Sequence, residues 1–329
     1  MQRIAIIGGG SWATALIKIL CNNDVQVYWW LRNNDSVEFI RKYHHNPNYL
    51  GDVELDMNKV QTTSMLKDAL LNASTVVLAV PAAFLKSSLS GLNVNDFKKK
   101  NIFSAIKGIV PEHNLIVGEY IHQTFSVSFT NIGVITGPCH AEEVAMEKLS
   151  YLTIACQDAD NASRLASQLN CRYIKTSVSD DIYGTEYSAV LKNIISIASG
   201  IFHGLGYGDN FQAVLIANAI REIKRFVDAV HPIKRDINDS AYLGDLLVTA
   251  YSQFSRNRTF GSMIGKGYSV KSAQLEMNMI AEGYYASKCI QEINQQHKVD
   301  MPICSAVYNV LYEKIAPRLE MKLLADKLS

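Results

Sequence analysis

The chain opens with a glycine turn between two apolar segments, and this feature constrains its fold more than any other. Ile4–Ile7 is an apolar run of strand length, three consecutive glycines follow, and Trp12–Cys21 has the apolar spacing of an amphipathic helix. In the order Gly8-x-Gly10-x-x-Ala13, the first glycine permits a tight turn and the second lets the backbone approach a pyrophosphate. Ala13 keeps helix and strand close, and the helix N-terminus adds the positive end of a dipole. The turn therefore predicts a dinucleotide-binding βαβ unit.

Apolar segments continue to alternate with helical patterns through the first half of the chain. Six further runs rich in β-branched and aromatic residues are predicted strands: Val25–Leu31, Thr75–Val80, Ile102–Ile106, Ile132–Thr136, Tyr151–Ala155 and Arg172–Lys175. From about Tyr183 only helical periodicity continues. We therefore predict an α/β fold, a Rossmann-like doubly wound sheet followed by an all-helical domain. The expected domains are residues 1–182, which bind the dinucleotide, and residues 183–329, which carry substrate binding and catalysis.

The composition excludes other classes of protein. Hydrophobic residues make up 48% of the chain, which is enough for a large core. The 32 Lys and Arg against 31 Asp and Glu give a net charge of +1, without the basic surface of a nucleic-acid binder. The six cysteines form no CxxC pair and the eight histidines have no metal-ligand spacing, so we expect free thiols and no metal. No apolar run reaches the ~18 residues of a membrane span. We expect a cytoplasmic protein that neither inserts into membranes nor binds nucleic acid.

Arg32 stands just after the predicted second strand, where an NAD-binding protein commonly has an acid for the ribose 2′-hydroxyl. A guanidinium pairs well with a 2′-phosphate. The sequence therefore predicts NADP(H) as the preferred cofactor, with NAD(H) as the alternative. An ordinary surface arginine would give the same pattern, and Asp35 follows closely, so both interpretations stay open.

Two later turns follow predicted strands, on the side where open α/β sheets bind ligands. Lys107 follows one strand, and Gly137-Pro-Cys139-His140 follows the next. Backbone contact to a ligand is one interpretation of the second turn, and a simple helix start is the other. A catalytic role for Cys139 or His140 has no recognisable partner residue in the sequence.

Three polar groups stand out in the helical half. Lys192 interrupts a nearly apolar helix: it either reaches solvent along its stem or, if buried, has a pKa lowered from ~10.4 towards ~7–8 that suits an acid/base. Asp245 opens a predicted helix, where capping is the simpler role. Ser255-Arg256-Asn257-Arg258 suits a phosphate monoester, although a polar surface loop has a similar composition.

Taken in order along the chain, seven motifs resemble the bacterial type of NAD(P)-dependent glycerol-3-phosphate dehydrogenase. They are Gly8-Gly-Gly-Ser-Trp-Ala-Thr-Ala-Leu, Ala105-Ile-Lys-Gly, Gly137-Pro-Cys-His-Ala-Glu-Glu, Val190-Leu-Lys-Asn, Leu243-Gly-Asp-Leu, Ser255-Arg-Asn-Arg-x-Phe-Gly and Glu282-Gly-Tyr. The resemblance implies interconversion of dihydroxyacetone phosphate and sn-glycerol 3-phosphate by hydride transfer with NAD(P)H, which supplies glycerol 3-phosphate for phospholipid synthesis. It also implies a small phosphorylated triose as substrate and is compatible with a homodimer.

The resemblance implies roles for individual residues as well. Lys192 matches the proton donor and acceptor of the family. The positions that match substrate-binding residues are Lys107, Gly137, Cys139, Asp245, Ser255, Arg256 and Asn257. The positions that match cofactor-binding residues are Gly8, Gly10, Ser11, Trp12, Arg32, Tyr49, Lys107, Ala141, Arg256, Ile280 and Glu282. The chain departs from the family pattern at Ala13, where Gly is common, at Cys139, often Ser or Thr, and at Tyr242, where a small residue is usual.

Two other functions remain open from the sequence. One is a reductase of the same two-domain build, such as a ketopantoate-reductase-like or 2-hydroxyacid enzyme. The phosphate-suited cluster around Arg256 argues against a substrate that carries only a carboxylate. The other is a catalytically silent NADP(H)-sensing protein, against which the joint presence of Lys192, Asp245 and the arginine cluster argues.

Overall fold

The computed structural model describes residues 2–277 and 281–329. Within these residues the chain forms ten strands: β1 (Gln2–Ile7), β2 (Val25–Trp30), β3 (Val60–Thr63), β4 (Thr75–Leu78), β5 (Asn101–Ser104), β6 (Ile109–Val110), β7 (Leu115–Ile116), β8 (Ile132–Thr136), β9 (Ser150–Cys156) and β10 (Ile174–Ser179).

Eight of these strands form one sheet in the order β10-β9-β8-β5-β4-β1-β2-β3. Every neighbouring pair is parallel except β8 and β9, so β9 and β10 run against the other six strands. The remaining two strands, β6 and β7, pair as a small antiparallel hairpin. The predicted Rossmann-like, mostly parallel sheet is confirmed. The sequence analysis did not predict β3, β6 or β7, because each of these strands is too short to show the alternation of apolar and polar residues that indicates a strand.

The helices lie between the strands in the first half and follow one another in the second. They are α1 (Ser11–Leu20), α2 (Asn34–Tyr43), α3 (Leu66–Leu71), α4 (Leu85–Ser88), α5 (Val117–Phe125), α6 (Ala141–Ala145), α7 (Ala159–Leu169), α8 (Ile182–Gly204), α9 (Asp209–Val230), α10 (Asp245–Tyr251), α11 (Arg256–Gly265), α12 (Val270–Glu276), α13 (Glu282–His297), α14 (Pro302–Leu311) and α15 (Pro317–Ala325).

The chain packs as two compact units, each with its own hydrophobic core. The first unit comprises residues 1–106 and 117–182, and the second comprises residues 107–116 and 183–329. The first core is formed by the sheet and its covering helices. The second is formed mainly by α8 and the helices around it. The division by packing differs from the contiguous ranges 1–182 and 183–329 at the β6–β7 hairpin.

The hairpin belongs to the second unit because its apolar side chains are part of the core around α8. Ile109 and Ile116 are buried there together with α8 residues such as Ile194. Full burial of one such side chain stabilises a fold by about 1.5–3 kcal/mol, which is enough to fix the position of a short hairpin. Lys107, which directly precedes the hairpin, is thereby carried into the second unit.

Glycines bring the backbones of α8 and α11 into direct contact. A Cβ atom at Gly261 on α11 would lie 2.1 Å from the carbonyl oxygen of Ile197 on α8. A Cβ atom at Gly200 on α8 would lie 2.1 Å from the carbonyl oxygen of Arg258 on α11. Only glycine allows this approach, which places the start of α11 against α8.

Candidate active site

A cluster of two lysines and one aspartate lies in the second unit. Asp245, the first residue of α10, accepts a hydrogen bond at Oδ1 from Nζ of Lys192 on α8. Nζ of Lys107 lies 3.2 Å from Oδ1 and 3.1 Å from Oδ2 of the same carboxylate. The Lys192 and Asp245 side chains are only 5% and 1% exposed, whereas that of Lys107 is 20% exposed. Lys192 therefore does not reach solvent along its stem, and the Asp245 carboxylate pairs with lysines instead of capping α10.

Backbone contacts position the members of this cluster. Residues 240–244 form a wide π-helical turn immediately before Asp245, a rare geometry that is frequent at functional sites. The hydroxyl of Thr249 donates to the carbonyl oxygen of Asp245 at 2.7 Å. Asn193, the neighbour of Lys192, donates from Nδ2 to the carbonyl oxygen of Lys107 at 2.8 Å. The amide of Asn193 thus ties the segment that carries Lys107 to the helix that carries Lys192.

Burial and charge together perturb the protonation of the cluster. Burial is the main cause that lowers the pKa of Lys192 to about 7, and the positive charge of Lys107 lowers it further, while Asp245 opposes both. For Asp245, burial alone would raise the pKa, but the charges of Lys107 and Lys192 and the hydrogen bonds from them hold it below its ordinary value. The site therefore combines a stable carboxylate with a lysine that can gain or lose a proton near neutral pH.

The predicted phosphate cluster is the start of helix α11 and not a loop. Ser255 caps the helix: its Oγ accepts from the backbone N–H of Arg258 at 3.3 Å and lies 2.8 Å from Oγ of Ser196. Arg256 is exposed on the first turn. Asn257 is buried, and its Oδ1 accepts from the backbone N–H of Gly283 at 3.0 Å. Because the amide oxygen of Asn257 is engaged, its NH₂ group is the part that remains for an anion.

The glycine turn of the first unit fits the pyrophosphate of a dinucleotide. Gly8 has φ +134°, and a Cβ atom there would lie 2.4 Å from the carbonyl oxygen of Ala79, so only glycine is tolerated. A Cβ atom at Gly10 would meet nothing within 4 Å, which leaves open space beside the turn. Helix α1 begins at buried Ser11 with no acidic residue in its first turn and no capping side chain. Its N-terminal amides are therefore suited to an anion.

The other residues predicted to bind the cofactor lie as follows. Arg32 is exposed directly after β2, and Tyr49 is half-buried in the segment that follows α2. Trp12 lies on the first turn of α1, and its buried indole N–H has no hydrogen-bond partner within the described residues. Ala141 is the first residue of α6 and Glu282 the first of α13. Ile280 lies outside the described residues.

The turn after β8 is shaped by its backbone contact to β9. Gly137 has φ +123°, and a Cβ atom there would lie 2.5 Å from the carbonyl oxygen of Tyr151. The thiol of Cys139 donates to the same oxygen at 3.1 Å and is buried. The side chain of Cys139 therefore supports the turn.

Two residues of the site have contacts that the sequence did not reveal. Asn193 lies within the Val190-Leu-Lys-Asn motif, but its bond to the Lys107 segment depends on how the chain folds back. Gly283 lies one residue after Glu282, and a Cβ atom there would be 2.6 Å from the carbonyl oxygen of Asn193. Tyr242 is buried within the π-helical turn before Asp245.

A Rossmann-like sheet with a pyrophosphate-suited glycine turn, together with a buried lysine of perturbed pKa, defines a nicotinamide-dinucleotide-dependent dehydrogenase. Comparison with known protein families shows to which family of dehydrogenases the chain belongs. Residues 3–162 match the family described as NAD-dependent glycerol-3-phosphate dehydrogenase N-terminus, and residues 181–322 match the corresponding C-terminus. The chain belongs to the NAD-dependent glycerol-3-phosphate dehydrogenase family. The resemblance drawn from the seven motifs is confirmed.

Individual members of this family are similar to the chain over nearly its whole length. The chain is 35% identical over 328 residues to glycerol-3-phosphate dehydrogenase [NAD(P)+] of Staphylococcus carnosus, covering 99% of this chain and 98% of that protein. It is 37% identical over 325 residues to the protein of that name from an Exiguobacterium species, covering 98% and 95%. The crystal structure of glycerol-3-phosphate dehydrogenase from Coxiella burnetii superposes with a TM-score of 0.89 at 28% identity, covering 98% of both chains.

Among residues 2–277 and 281–329, no helix combines the length and the apolar character needed to cross a bilayer. The same residues contain no group of three or more His, Cys, Asp or Glu side chains arranged to hold a metal ion.

Proposed function

We propose that the chain interconverts dihydroxyacetone phosphate and sn-glycerol 3-phosphate with NAD(P)H. The observation that carries the proposal is the buried cluster of Lys192, Asp245 and Lys107, because a lysine with a pKa near 7 suits proton transfer to a ketone oxygen. In the reduction, negative charge develops on that oxygen. The ammonium group of Lys192 stabilises the charge and then donates its proton, and in the oxidation the neutral amine accepts the proton.

Asp245 and Lys107 have complementary roles in this proposal. The Asp245 carboxylate orients the amine of Lys192 and favours its charged form. Lys107, bound to the same carboxylate, adds positive charge that keeps the pKa of Lys192 low enough for proton release.

The substrate phosphate is bound at the start of α11. Arg256 supplies a guanidinium fork and Asn257 an amide NH₂. Ser255 acts mainly through the helix cap, because its hydroxyl is engaged with Ser196 and the α11 backbone. Binding energy from the phosphate, which does not react, places the ketone for reaction.

The nicotinamide dinucleotide, when bound, supplies or accepts the hydride. The glycine turn at Gly8 and Gly10, with Ser11 and Trp12, binds its pyrophosphate, and Arg32 binds the 2′-phosphate of NADP(H). In this assignment residues 1–182, apart from the segment 107–116 that contains the β6–β7 hairpin, form the dinucleotide-binding domain, and residues 183–329 together with that segment form the substrate and catalytic domain.

The test is a comparison of substrates under identical conditions. Oxidation of NADPH and NADH by the purified protein is followed at 340 nm with dihydroxyacetone phosphate, ketopantoate and glyoxylate. We expect rapid oxidation with dihydroxyacetone phosphate only, and sn-glycerol 3-phosphate as the product. Turnover of ketopantoate or glyoxylate at a comparable rate would contradict the proposal, as would binding of NADPH without turnover of any of the three.

Cytoplasmic location, supply of glycerol 3-phosphate for phospholipid synthesis and assembly as a homodimer complete the proposal. Their support is the resemblance of the motifs and membership of the family. Light scattering coupled to size-exclusion chromatography tests the assembly: a mass of about twice 36.6 kDa is expected, and a mass near 36.6 kDa would contradict it.

A further inference from the structure

The first carbonyl oxygen of the glycine turn is bound by a tryptophan of the neighbouring strand. Trp29 lies on β2, is fully buried, and donates its indole N–H to the carbonyl oxygen of Gly8 at 2.6 Å. The backbone N–H of Gly8 in turn donates to the carbonyl oxygen of Trp30 at 3.2 Å. Both polar groups of Gly8 are thus used by β2.

The next two carbonyl oxygens of the turn are also bound by side chains. Asn46 is buried in the segment after α2 and donates from Nδ2 to the carbonyl oxygen of Gly9 at 3.1 Å and to Oγ1 of Thr14 at 2.8 Å. The carbonyl oxygen of Gly10 accepts two bonds from fully buried Thr14 on α1, one from the backbone N–H at 3.0 Å and one from the hydroxyl at 3.1 Å. All three carbonyl groups of the glycine turn therefore accept a bond from a buried side chain.

The bound carbonyl groups determine the direction of the amide groups. In a trans peptide the N–H of one residue points away from the carbonyl oxygen of the residue before it. The three fixed carbonyl groups therefore direct the N–H groups of Gly9, Gly10 and Ser11 to the opposite sides of their peptide planes. Within the described chain none of these three N–H groups donates to another protein group.

Glycine peptides are the ones that most need such restraint, because glycine adopts positive and negative φ almost equally well. A turn of three glycines without it would rotate its peptide planes and point carbonyl oxygens at a bound anion. We propose that Trp29, Asn46 and Thr14 are positioning residues that orient the amides of the glycine turn towards the diphosphate of the dinucleotide. This inference rests on the proposed binding of a nicotinamide dinucleotide to that turn.

Two neighbouring tryptophans provide a matched test. Trp30 also lies on β2 and also donates its indole N–H to a backbone carbonyl, but that carbonyl belongs to Ser64 and not to the glycine turn. Trp29→Phe and Trp30→Phe therefore remove the same bond type from adjacent residues. Binding of NADPH, NADH and adenosine 2′-monophosphate to each variant is measured by calorimetry, since the last ligand lacks the diphosphate.

We expect Trp29→Phe to weaken binding of NADPH and NADH about tenfold, the effect of misdirecting one or two donors to a charged group. Binding of adenosine 2′-monophosphate should change by less than about twofold, because this ligand does not reach the turn. Trp30→Phe should leave all three affinities within about twofold. The melting temperature of each variant, measured alongside, reports the loss of stability separately from the loss of affinity.

A second pair of variants covers the case in which Trp29→Phe does not fold. Thr14→Val keeps the shape of the side chain and removes the hydroxyl, whereas Thr14→Ser keeps the hydroxyl. Thr14→Val keeps the backbone N–H bond to Gly10 and removes the hydroxyl that accepts from Asn46. We therefore expect it to weaken dinucleotide binding about three- to fivefold, and Thr14→Ser to restore binding to within about twofold of the parent.

The outcomes separate this inference from the proposed function. If the parent binds the dinucleotides and Trp29→Phe and Thr14→Val bind them equally well, the positioning role is wrong and dinucleotide binding stands. Equal losses for the dinucleotides and for adenosine 2′-monophosphate would show a general effect on the fold and would likewise overturn the positioning role. A parent that binds neither NADPH nor NADH would contradict the proposed function and this inference with it.

Discussion

Replacing Lys107 tests how the buried cluster sets the proton affinity of Lys192. Lys107 and Lys192 bind the same carboxylate, and the charge of Lys107 is one cause of the low pKa of Lys192. Lys107→Gln removes that charge, while burial still lowers the pKa and Asp245 still raises it. The pKa of Lys192 must therefore rise. In the direction of ketone reduction Lys192 acts as an acid, so activity falls above this pKa and the fall should move to higher pH.

The magnitude follows from the geometry of the cluster. At an effective dielectric constant of about 20, two like unit charges about 5 Å apart repel by about 3 kcal/mol. Because the side chain of Lys107 is 20% exposed, solvent screens this repulsion, and about half of it is expected to remain. The remaining ~1.5 kcal/mol corresponds to a rise of about one pKa unit.

The assay is the pH dependence of kcat/KM for reduction of dihydroxyacetone phosphate, which reports the protonation of the enzyme before the substrate binds. The parent should lose activity around pH 7, and Lys107→Gln about one pH unit higher. Lys288→Gln is the matched control: it makes the same change of net charge on an exposed residue of α13, 3.9 Å from Glu292, and should leave the profile unmoved. A profile of Lys107→Gln that coincides with that of the parent, or moves to lower pH, refutes the electrostatic argument.

Three further predictions concern the cofactor, the substrate phosphate and stability. Arg32→Ala should reduce the preference for NADPH over NADH by roughly tenfold to a hundredfold in kcat/KM, because the guanidinium binds the 2′-phosphate. Arg256→Lys should raise KM for dihydroxyacetone phosphate at least about tenfold and hardly affect unphosphorylated dihydroxyacetone, because lysine lacks the planar fork. Burial raises the pKa of Glu222 above the ordinary 4.5, so this carboxyl should stabilise the fold less as pH rises through the raised pKa. The melting temperature of Glu222→Gln should therefore rise relative to that of the parent over the same pH range.

Each of these predictions has a result that would contradict it. If Arg32→Ala leaves the preference for NADPH over NADH unchanged, Arg32 does not determine that preference. If Arg256→Lys weakens the reaction with dihydroxyacetone and with its phosphate equally, Arg256 serves cofactor binding or the fold and not the substrate phosphate. For Glu222, thermal melts of parent and variant from pH 4.5 upward decide the matter, and a constant difference between them would show that the carboxyl does not titrate differently on folding.

The glycine turn and the helical periodicity were enough to predict a Rossmann-like sheet followed by a helical region, because both are local patterns in the sequence. β3 escaped because its four residues, Val-Gln-Thr-Thr, are held by pairing with β2 and not by an apolar period. The placement of the β6–β7 hairpin depends on the burial of Ile109 and Ile116 against α8, a contact between distant parts of the chain.

The candidate site shows the same limit. The motifs gave the residue types, and the resemblance gave expected roles, but the state of Lys192 could not be read from its helix. A lysine in an apolar helix either reaches water or is buried, and only the partner carboxylate 53 residues further along decides between them. The buried donors to the glycine turn escaped for the same reason, since neither Trp29 nor Asn46 belongs to the Gly8-x-Gly10-x-x-Ala13 pattern.

The most direct test of the central claim, that Lys192 donates the proton to the substrate, is the single-turnover rate of NADPH oxidation by Lys192→Ala. Dihydroxyacetone phosphate is saturating, and the affinity for NADPH is measured in parallel. We predict that the variant oxidises NADPH about 10²–10⁴ times more slowly than the parent, while its affinity for NADPH stays within several-fold of the parental value. A variant that keeps more than about a tenth of the parental rate would remove Lys192 from the role of general acid.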